Sequence, residues 1–277
     1  MNSLIHEERF KLIEKKGVKY FIIPEFEETH LVNHGFTTRI GGLSKSPFNS
    51  LNLGLKTDDN RENVIENFKI ICDVFENTID RAVLSDQVHK TDIKIVTNKD
   101  IGKGLVKNKD YKDIDGLVTN EPDVMLFTFF ADCVPIFFLD KVKKVVGLAH
   151  GGWRGTVDKI SGKMIDIMKK NYSSDPNDIL VGIGPSIGQC CYEVGADVYK
   201  RFNTNFTSVS NVLKPTGEGK WKLNLWEANK VVLEESGVPC RNIIISEVCT
   251  SCNSDIFFSY RKENGITGRM AAIIQLK

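Results

Sequence analysis

Hydrophobic and polar positions alternate in short apolar runs bounded by turn residues, which predicts a protein rich in β-strands. The runs at 124–130, 134–140 and 145–150 are dense in Val, Ile and Phe, which favour extended backbone. By the same criterion we predict strands at 19–26, 34–40, 82–89, 92–97, 116–120, 124–130, 134–140, 145–150, 178–184, 242–248, 257–261 and 269–276. Asn264 and Gly265 form a strong hairpin signal, so we expect the last two strands to pair.

Three segments have apolar residues at helical spacing instead. They are 58–75, a segment that begins after Thr156, and 224–237, which closes on a glycine suited to a helix C-cap. Strands interrupted by helices predict an α/β (α+β) protein with layered mixed sheets, flanking helices and one continuous core. We expect residues 1–277 to form a single domain, with 1–20 as a possible N-terminal extension.

Composition narrows the function classes. The net charge of +1 offers no electrostatic footprint for nucleic acid. The longest apolar stretch, 124–139, is broken by Asp132 and is shorter than the ~20 residues of a membrane helix. The N-terminus lacks the apolar core of a signal peptide, so we expect a cytoplasmic protein without a membrane partner. Seven cysteines, an odd number, predict thiols or ligands rather than disulfides.

A predicted hairpin over 134–150 brings a cysteine and a histidine to the same end. If Leu139 faces Val145, then Val134 faces His150 and Cys133 is its diagonal neighbour. His89 lies in a short connection between strands and offers a third ligand. One cysteine and two histidines with an open fourth position are typical of a catalytic zinc site. On spacing alone, a small core cysteine and a turn histidine remain alternatives.

The residues after His150 favour an anion site beside this cluster. Gly151 and Gly152 allow a tight turn and leave space next to the imidazole. Trp153, Arg154 and Gly155 lead into the predicted helix, and helix N-termini favour anions. Arg154 adds a fixed fork of donors at the same place.

Several segments, in this order, resemble the bacterial YfiH-like family, once labelled multicopper polyphenol oxidase or laccase. The matching segments are HGFTTRIGGLS, SLNLGLKTDDN, DQVHKT, TFFADCVPIFF, AHGGWRGT, GIGPSIGQCCYEVG, CTSC and FFSYRKENGITGRMAAII. The resemblance implies a layered α/β fold loosely related to a toxin deamidase. It also implies zinc ligands at His89, Cys133 and His150.

The same resemblance implies a zinc-dependent purine nucleoside phosphorylase with adenosine deaminase activity. Its substrates are expected among adenosine, inosine, guanosine and methylthioadenosine, with inorganic phosphate, and the protein is expected to be a monomer or weak homodimer. Two positions depart from the family pattern: Gly151 replaces an alanine, and Lys90 replaces a glycine beside the first histidine ligand. Five histidines are too few for the several copper ions of a multicopper oxidase.

Four further residues are candidates for roles in the reaction. Asp132 is a candidate general acid or base, because the H-x-E glutamate of known nucleobase deaminases is absent. Arg154 and Arg39 are candidates for binding phosphate, and Asn52 for binding sugar or base. The alternatives are a turn-capping carboxylate for Asp132, a surface ion pair for Arg39 and a turn residue for Asn52.

Two motifs and two other functions stay open. The CTSC segment, 249–252, is half of a zinc site, a redox pair or, as we prefer, thiols near the rim of the site. The glycine-rich segment 182–195 is read as a tight turn rather than an anion cradle. The alternative functions are a cysteine hydrolase or amidase, with Cys133 as nucleophile and His150 as base, and a purine-binding protein without turnover.

Overall fold

A computed structural model describes residues 9–277, in which the apolar runs build two six-stranded sheets and a small third one. The strands are β1 Lys11–Lys15, β2 Val18–Ile22, β3 Val32–Thr37, β4 Ala82–Leu84, β5 Ile93–Ile95, β6 Gly116–Thr119, β7 Met125–Phe130, β8 Val134–Asp140, β9 Val145–Gly151, β10 Ile179–Ile183, β11 Glu193–Val194, β12 Leu213–Gly217, β13 Lys220–Leu223, β14 Ile243–Ile245 and β15 Met270–Leu276. The first sheet has the order β1-β2-β3-β15-β7-β4, the second β14-β10-β8-β9-β6-β5, and the third β11-β13-β12.

Six α-helices accompany these sheets in the described part of the chain. They are α1 Pro24–Glu27, α2 Arg61–Val74, α3 Trp153–Val157, α4 Ile160–Tyr172, α5 Ala196–Asn205 and α6 Leu225–Glu235. The side chain of Asn60 caps α2 by accepting hydrogen bonds from the amides of Glu62 and Asn63. The three predicted helices correspond to α2, α4 and α6 and are therefore confirmed.

Alternation along the central strands divides the core into layers. In β8, Ile136 and Phe138 pack against the helices α4 and α6, whereas Phe137 and Leu139 face the first sheet. In β7, Phe127 points away from the second sheet and packs against α2. The predicted mixed α/β fold is confirmed as helix, sheet, sheet and helix layers, in which both faces of each central strand are buried.

The C-terminal part departs from the predicted hairpin. Residues 257–261 are not a strand, and β15 pairs with β3 and β7 instead. Asn264 and Gly265 do adopt the positive φ angles of a turn. Phe257 and Phe258 are fully buried in the core between the sheets. Burial of these rings, rather than ladder pairing, accounts for the apolar run that resembled a strand.

The register of the β8–β9 hairpin differs from the prediction by one residue. Asp140 faces Val145, and Pro135 faces His150. The Asp140 carboxylate accepts hydrogen bonds from two turn amides, 2.8 Å each, and closes the hairpin one residue later than expected. Because side chains alternate, the observed register puts Cys133 on the same face as His150, whereas the predicted register puts it on the opposite face.

At the N-terminus, residues 1–8 lie outside the described residues, including part of the predicted extension 1–20. The rest of that segment forms β1 and most of β2 at the edge of the first sheet. Within 9–277, no helix is both long and apolar enough to cross a bilayer. The predicted single domain, cytoplasmic location and oligomeric state stay predictions.

Candidate active site

Three potential metal ligands converge where the two large sheets meet. His89 lies on the connection from β4 to β5, Cys133 directly precedes β8, and His150 lies near the end of β9. Their ligand atoms all lie within 4.8 Å of one another. Cys133 packs against the core between the sheets, and the ring of Phe130 lies 5.5 Å from that of His150. Residues distant in sequence therefore form one compact donor set of two imidazoles and a thiol.

Asp115, directly before β6, connects two of these ligands. Its Oδ1 lies 2.8 Å from Nδ1 of His150, which leaves the Nε2 atom free to face a metal. The same carboxylate accepts hydrogen bonds from the amides of Val88, His89 and Lys90, at 2.9 to 3.1 Å. Asp115 is fully buried. It therefore orients one histidine ring and holds the loop that carries the other.

Two site residues adopt left-handed backbone conformations. His89 has φ of 63° and Asp132 has φ of 84°. Such a conformation costs a non-glycine residue about 1–2 kcal/mol. The Asp115 bonds to the His89 loop offset this cost at the first position. At the second, the Asp132 carboxylate accepts bonds from the hydroxyls of Thr250 and Ser259 and the amide of Arg261.

The ionisation of the cluster favours the thiolate form of Cys133, whereas His150 must release a proton before it can bind a metal. Burial acts to raise the pKa of Cys133, but the charge of His150 and hydrogen bonds from both histidines outweigh it and lower the pKa to about 6. Burial acts to lower the pKa of His150, but the charge of Cys133 and the hydrogen bond to Asp115 raise it to about 9. A thiolate is the form of cysteine that binds metals.

A cavity of about 620 Å³ opens over the three ligands. That volume lies within the ~300–1,000 Å³ of small-molecule sites. Its walls carry aromatic rings and cationic side chains, namely Phe129, Trp153, Tyr192, Tyr260, Lys56, Lys109, Arg154, Arg261 and Arg269. The cavity thus combines flat apolar surface, which suits a nucleobase, with positive charge, which suits an anion.

The cations of the cavity differ in their availability to a ligand. Lys56 and Lys109 both pair with Asp86. Arg261 and Arg269 donate to backbone carbonyls. The exposed guanidinium of Arg154 stacks on the Trp153 ring at 4.5 Å and forms no hydrogen bond or ion pair with another described residue. Arg154 is therefore the cavity cation that is most available to an anionic ligand.

The remaining predicted site residues have different positions. Asp132 lines the cavity, with its carboxylate already hydrogen-bonded as described. Arg39 lies outside the cavity lining, where it bonds the carbonyls of Asn49 and Ser254 and pairs with Glu263. Asn52 also lies outside the lining, fully buried. The roles predicted for these three residues stay predictions.

Asn52 and Lys90 have clear local contacts. The Asn52 amide bonds Thr57 and Asp59, and its oxygen accepts from the amide of Arg269, a residue of the cavity wall. Lys90, where the family pattern has glycine, pairs with Asp113 at 2.6 Å and does not line the cavity. This lysine therefore leaves the cavity open.

Sequence reasoning did not find Asp115, Arg261 or Arg269. A histidine ligand usually has a carboxylate or carbonyl partner at its other ring nitrogen, so the predicted ligands indicated that an acidic residue could lie beside them. Several aspartates occur between 100 and 115, and only the sheet pairing of β6 with β9 selects Asp115. The two arginines lie in the C-terminal segment that was predicted to be a hairpin, so their place in the cavity depends on the fold.

Comparison with known proteins identifies the family of this chain. Residues 33–277 match the family described as multi-copper polyphenol oxidoreductase laccase. The chain belongs to this family. A relative from Geobacillus stearothermophilus, named purine nucleoside phosphorylase YlmD, is 42% identical over 87% of this chain and 88% of that protein. The protein of the same name from Bacillus subtilis is 39% identical over 88% of both chains.

A solved structure within the same family has the same fold. The YfiH protein of Bacillus licheniformis superimposes with a TM-score of 0.91 at 38% identity, covering 97% of this chain and 99% of that one. The expected YfiH-like membership is confirmed. The laccase description of the family does not fit the donors, because only two histidines of the described residues meet in this cluster, too few for the several copper ions of a multicopper oxidase.

Proposed function

We propose that this protein is a zinc-dependent purine nucleoside phosphorylase that also deaminates adenosine. The observation that carries the proposal is the presence of a His-Cys-His donor set and the unpaired guanidinium of Arg154 on one cavity. The names of the relatives from Bacillus subtilis and Geobacillus stearothermophilus support the phosphorylase activity. Adenosine, inosine, guanosine and methylthioadenosine are the proposed nucleosides.

The donor set fits zinc and does not suit a hard cation such as magnesium, which prefers oxygen ligands. Thiolate and imidazole are typical zinc ligands, and three protein ligands leave a fourth position for catalysis. His89, Cys133 and His150 would hold the ion, with Asp115 fixing the tautomer of His150. Bound zinc would supply Lewis acidity, which both deamination and the departure of a purine can use.

The other residues of the cavity bind and orient the substrates. Arg154 binds inorganic phosphate, since it is positively charged and forms no ion pair with another described residue. The aromatic walls, Phe129, Tyr192 and Tyr260, surround the purine and exclude water from its face. Asp132 fixes the backbone next to Cys133 through its three hydrogen bonds, and we retain it as the candidate acid or base.

A product assay tests the proposal. The protein is incubated with adenosine, with and without phosphate, and the products are separated by liquid chromatography and mass spectrometry. We expect adenine and ribose 1-phosphate only when phosphate is present. Without phosphate we expect inosine, and with phosphate inosine together with the hypoxanthine formed from it. Cys133→Ser should abolish all products, while Cys240→Ser, an exposed cysteine outside the cluster, should retain them. Stabilisation by adenosine without any product would instead indicate a purine-binding protein.

A second candidate function follows from the order of three side chains. Cys133 interacts with His150, and His150 with Asp115, as the nucleophile, base and orienting acid of a cysteine hydrolase do. Metal removal separates the two functions. A phosphorylase of the proposed kind loses activity with a chelator and regains it with zinc. A cysteine hydrolase stays active without metal and is labelled at Cys133 by an electrophile such as iodoacetamide.

A further inference from the structure

A second cluster of sulfur atoms lies outside the three-ligand site. Cys190, Cys191, Cys249 and Cys252 place their sulfur atoms within 4.8 Å of one another. The Sγ atom of Cys252 lies 3.6 Å from that of Cys190 and 3.4 Å from that of Cys191. The cluster brings the CTSC segment together with the adjacent cysteines of the glycine-rich segment. The segment 182–195 was interpreted only as a tight turn, whereas in the structure it also brings Cys190 and Cys191 to the CTSC segment.

The separations agree with four thiolates around one metal ion. A tetrahedral site with zinc–sulfur bonds of ~2.3 Å has sulfur–sulfur edges of ~3.8 Å. A disulfide, in contrast, requires sulfur atoms ~2.05 Å apart. All four cysteines are free thiols here. The measured distances are close to the tetrahedral edge and far from a covalent bond.

The backbone joins the two cysteine segments into one scaffold. Ser186 forms an isolated parallel bridge with Cys249, through bonds from the Ser186 amide to Val248 and from the Thr250 amide to Ser186. On the other segment, the amides of Cys191 and Tyr192 both bond the Gly188 carbonyl at 3.0 Å and form a tight turn. The two pairs of thiols are thus held toward each other by main-chain contacts.

Gly188 has a specific role in this arrangement. Its amide donates a hydrogen bond to the Cys249 sulfur at 3.2 Å, as amides commonly do to ligating thiolates. A Cβ at this position would lie 3.2 Å from the Cys190 sulfur and 3.0 Å from the Trp226 ring. Glycine leaves space for the sulfur cluster and supplies a donor to it.

We propose that Cys190, Cys191, Cys249 and Cys252 bind one zinc ion in a closed structural site, separate from the His89, Cys133 and His150 site. Four thiolates fill the coordination sphere and leave no position for a substrate. The turn and bridge bring together four sulfurs that, as thiolates, would repel one another without a cation. The ion stabilises the folded chain, since it is bound by two segments about 60 residues apart.

The site braces one wall of the cavity. Ile187 and Tyr192 flank the adjacent cysteines and line the cavity. The Arg261 guanidinium, also on that wall, donates to the Cys191 carbonyl at 3.4 Å. The Ile187 amide and the Thr250 hydroxyl both bond Asp132, next to Cys133. Loss of the second metal should therefore loosen this wall and weaken substrate binding, without removing any ligand of the first site.

Metal content of the wild type and of three variants of the full chain tests the proposal. The proteins are purified under reducing conditions without chelator, and the zinc content per chain is measured by inductively coupled plasma mass spectrometry. We expect two zinc ions per chain in the wild type and in Cys240→Ser. We expect one in Cys133→Ser, which keeps the second site, and one in the double variant Cys190→Ser/Cys252→Ser. A Cys133→Ser protein without zinc would contradict the four-cysteine site proposed here. A double variant without zinc would instead contradict the zinc site on which the proposed function depends.

X-ray absorption of the Cys133→Ser protein makes the test independent of whether the double variant folds. We expect four sulfur neighbours at ~2.3 Å from zinc. Iron with the same four sulfurs, seen as a coloured protein, would overturn the choice of metal. A metal-free Cys133→Ser protein, or a non-reducing digest that yields Cys190 or Cys191 bonded to Cys252, would overturn the site.

Discussion

Asp115 lies 2.8 Å from the Nδ1 atom of His150 and is at the same time the acceptor for the amides of the His89 loop. One buried carboxylate therefore sets the relative position of two candidate metal ligands that are 61 residues apart in the chain. Changing this residue alters the site without removing a ligand, which makes it the most informative position outside the donor set.

Asp115→Asn should weaken zinc binding at the first site about 10- to 100-fold, because the amide is a poorer partner for His150 and presents an NH2 group to the loop amides. Competition with a chromophoric chelator measures this affinity. Asp113→Asn is the matched control, since the Asp113 side chain pairs with Lys90, an exposed residue of the His89 loop. Equal affinities in the two variants would contradict the role of Asp115.

Gly152→Ala should weaken the same site by crowding its ligands. Gly152 has φ of −66°, so alanine fits the backbone. Its Cβ, however, would lie 3.1 Å from the His89 ring and 3.2 Å from the Cys133 sulfur. We expect about a tenfold loss of zinc affinity with little change in melting temperature. Gly195→Ala, where the Cβ meets only the Asp197 side chain, should keep full affinity.

Arg154→Gln should raise the KM for phosphate. A hydrogen bond to a charged group contributes about 1.5–3 kcal/mol, which corresponds to a rise of about 10- to 100-fold. The KM for adenosine should change much less, because the aromatic walls remain. Initial rates at varied phosphate and fixed adenosine measure the effect. An unchanged phosphate KM would remove Arg154 from the proposed phosphate site.

Arg39→Gln separates a structural role from the predicted phosphate role. Arg39 bonds two carbonyls and Glu263, and its guanidinium lies 4.6 Å from the centre of the Phe258 ring. We expect a loss of about 1–3 kcal/mol in the free energy of unfolding and an unchanged phosphate KM. Urea unfolding and the same rate assay measure both quantities. A raised KM at unchanged stability would restore Arg39 to the substrate site.

Asp100 should contribute stability that is lost in acid. Burial acts to raise its pKa, but bonds from Lys103, the Thr97 amide and Lys94 outweigh burial and lower the pKa to about 2. A carboxyl with a depressed pKa stabilises the fold above its unfolded value, 3.8 here, and this contribution disappears as the pH falls to about 2. Asp100→Asn should therefore reduce the dependence of stability on pH in that window.

Urea unfolding at several pH values checks this expectation. Asp110→Asn is the control, because Asp110 pairs with the same Lys103 but is far more exposed, so its ion pair is screened by water. We expect Asp110→Asn to keep most of the acid-dependent loss. An Asp100→Asn protein that loses stability in acid as steeply as the wild type would contradict the prediction.

Local pattern was sufficient for most of the strands and for the three longest helices that build the layers. The runs at 134–140 and 145–150 correspond to β8 and β9. A continuous apolar run of this length is typical of a strand that is buried on both faces, so the local sequence is enough to predict it. The run at 257–261 has a similar composition and is not a strand. Its two phenylalanines are buried although they lie in irregular backbone. Composition alone does not distinguish such a segment from a strand that pairs in a sheet.

The segments 196–205 and 213–223 illustrate the opposite case. Helix α5 and the hairpin of β12 and β13 were not predicted, because their residues are largely polar and exposed. Val198 and Phe202 alone are fully buried on α5, and they are four residues apart. Two apolar positions define a helical face only after a neighbouring layer covers them.

By itself, the sequence predicted the two kinds of layer, the family and the candidate ligand set of His89, Cys133 and His150, since motifs and periodicity are properties of short segments. Tertiary structure decided the hairpin register, the choice of Asp115 among many aspartates, and the meeting of Cys190 and Cys191 with Cys249 and Cys252. The physical reason is that these relationships join segments that are distant in the chain. Their proximity depends on how sheets and loops pack, and no local pattern records it.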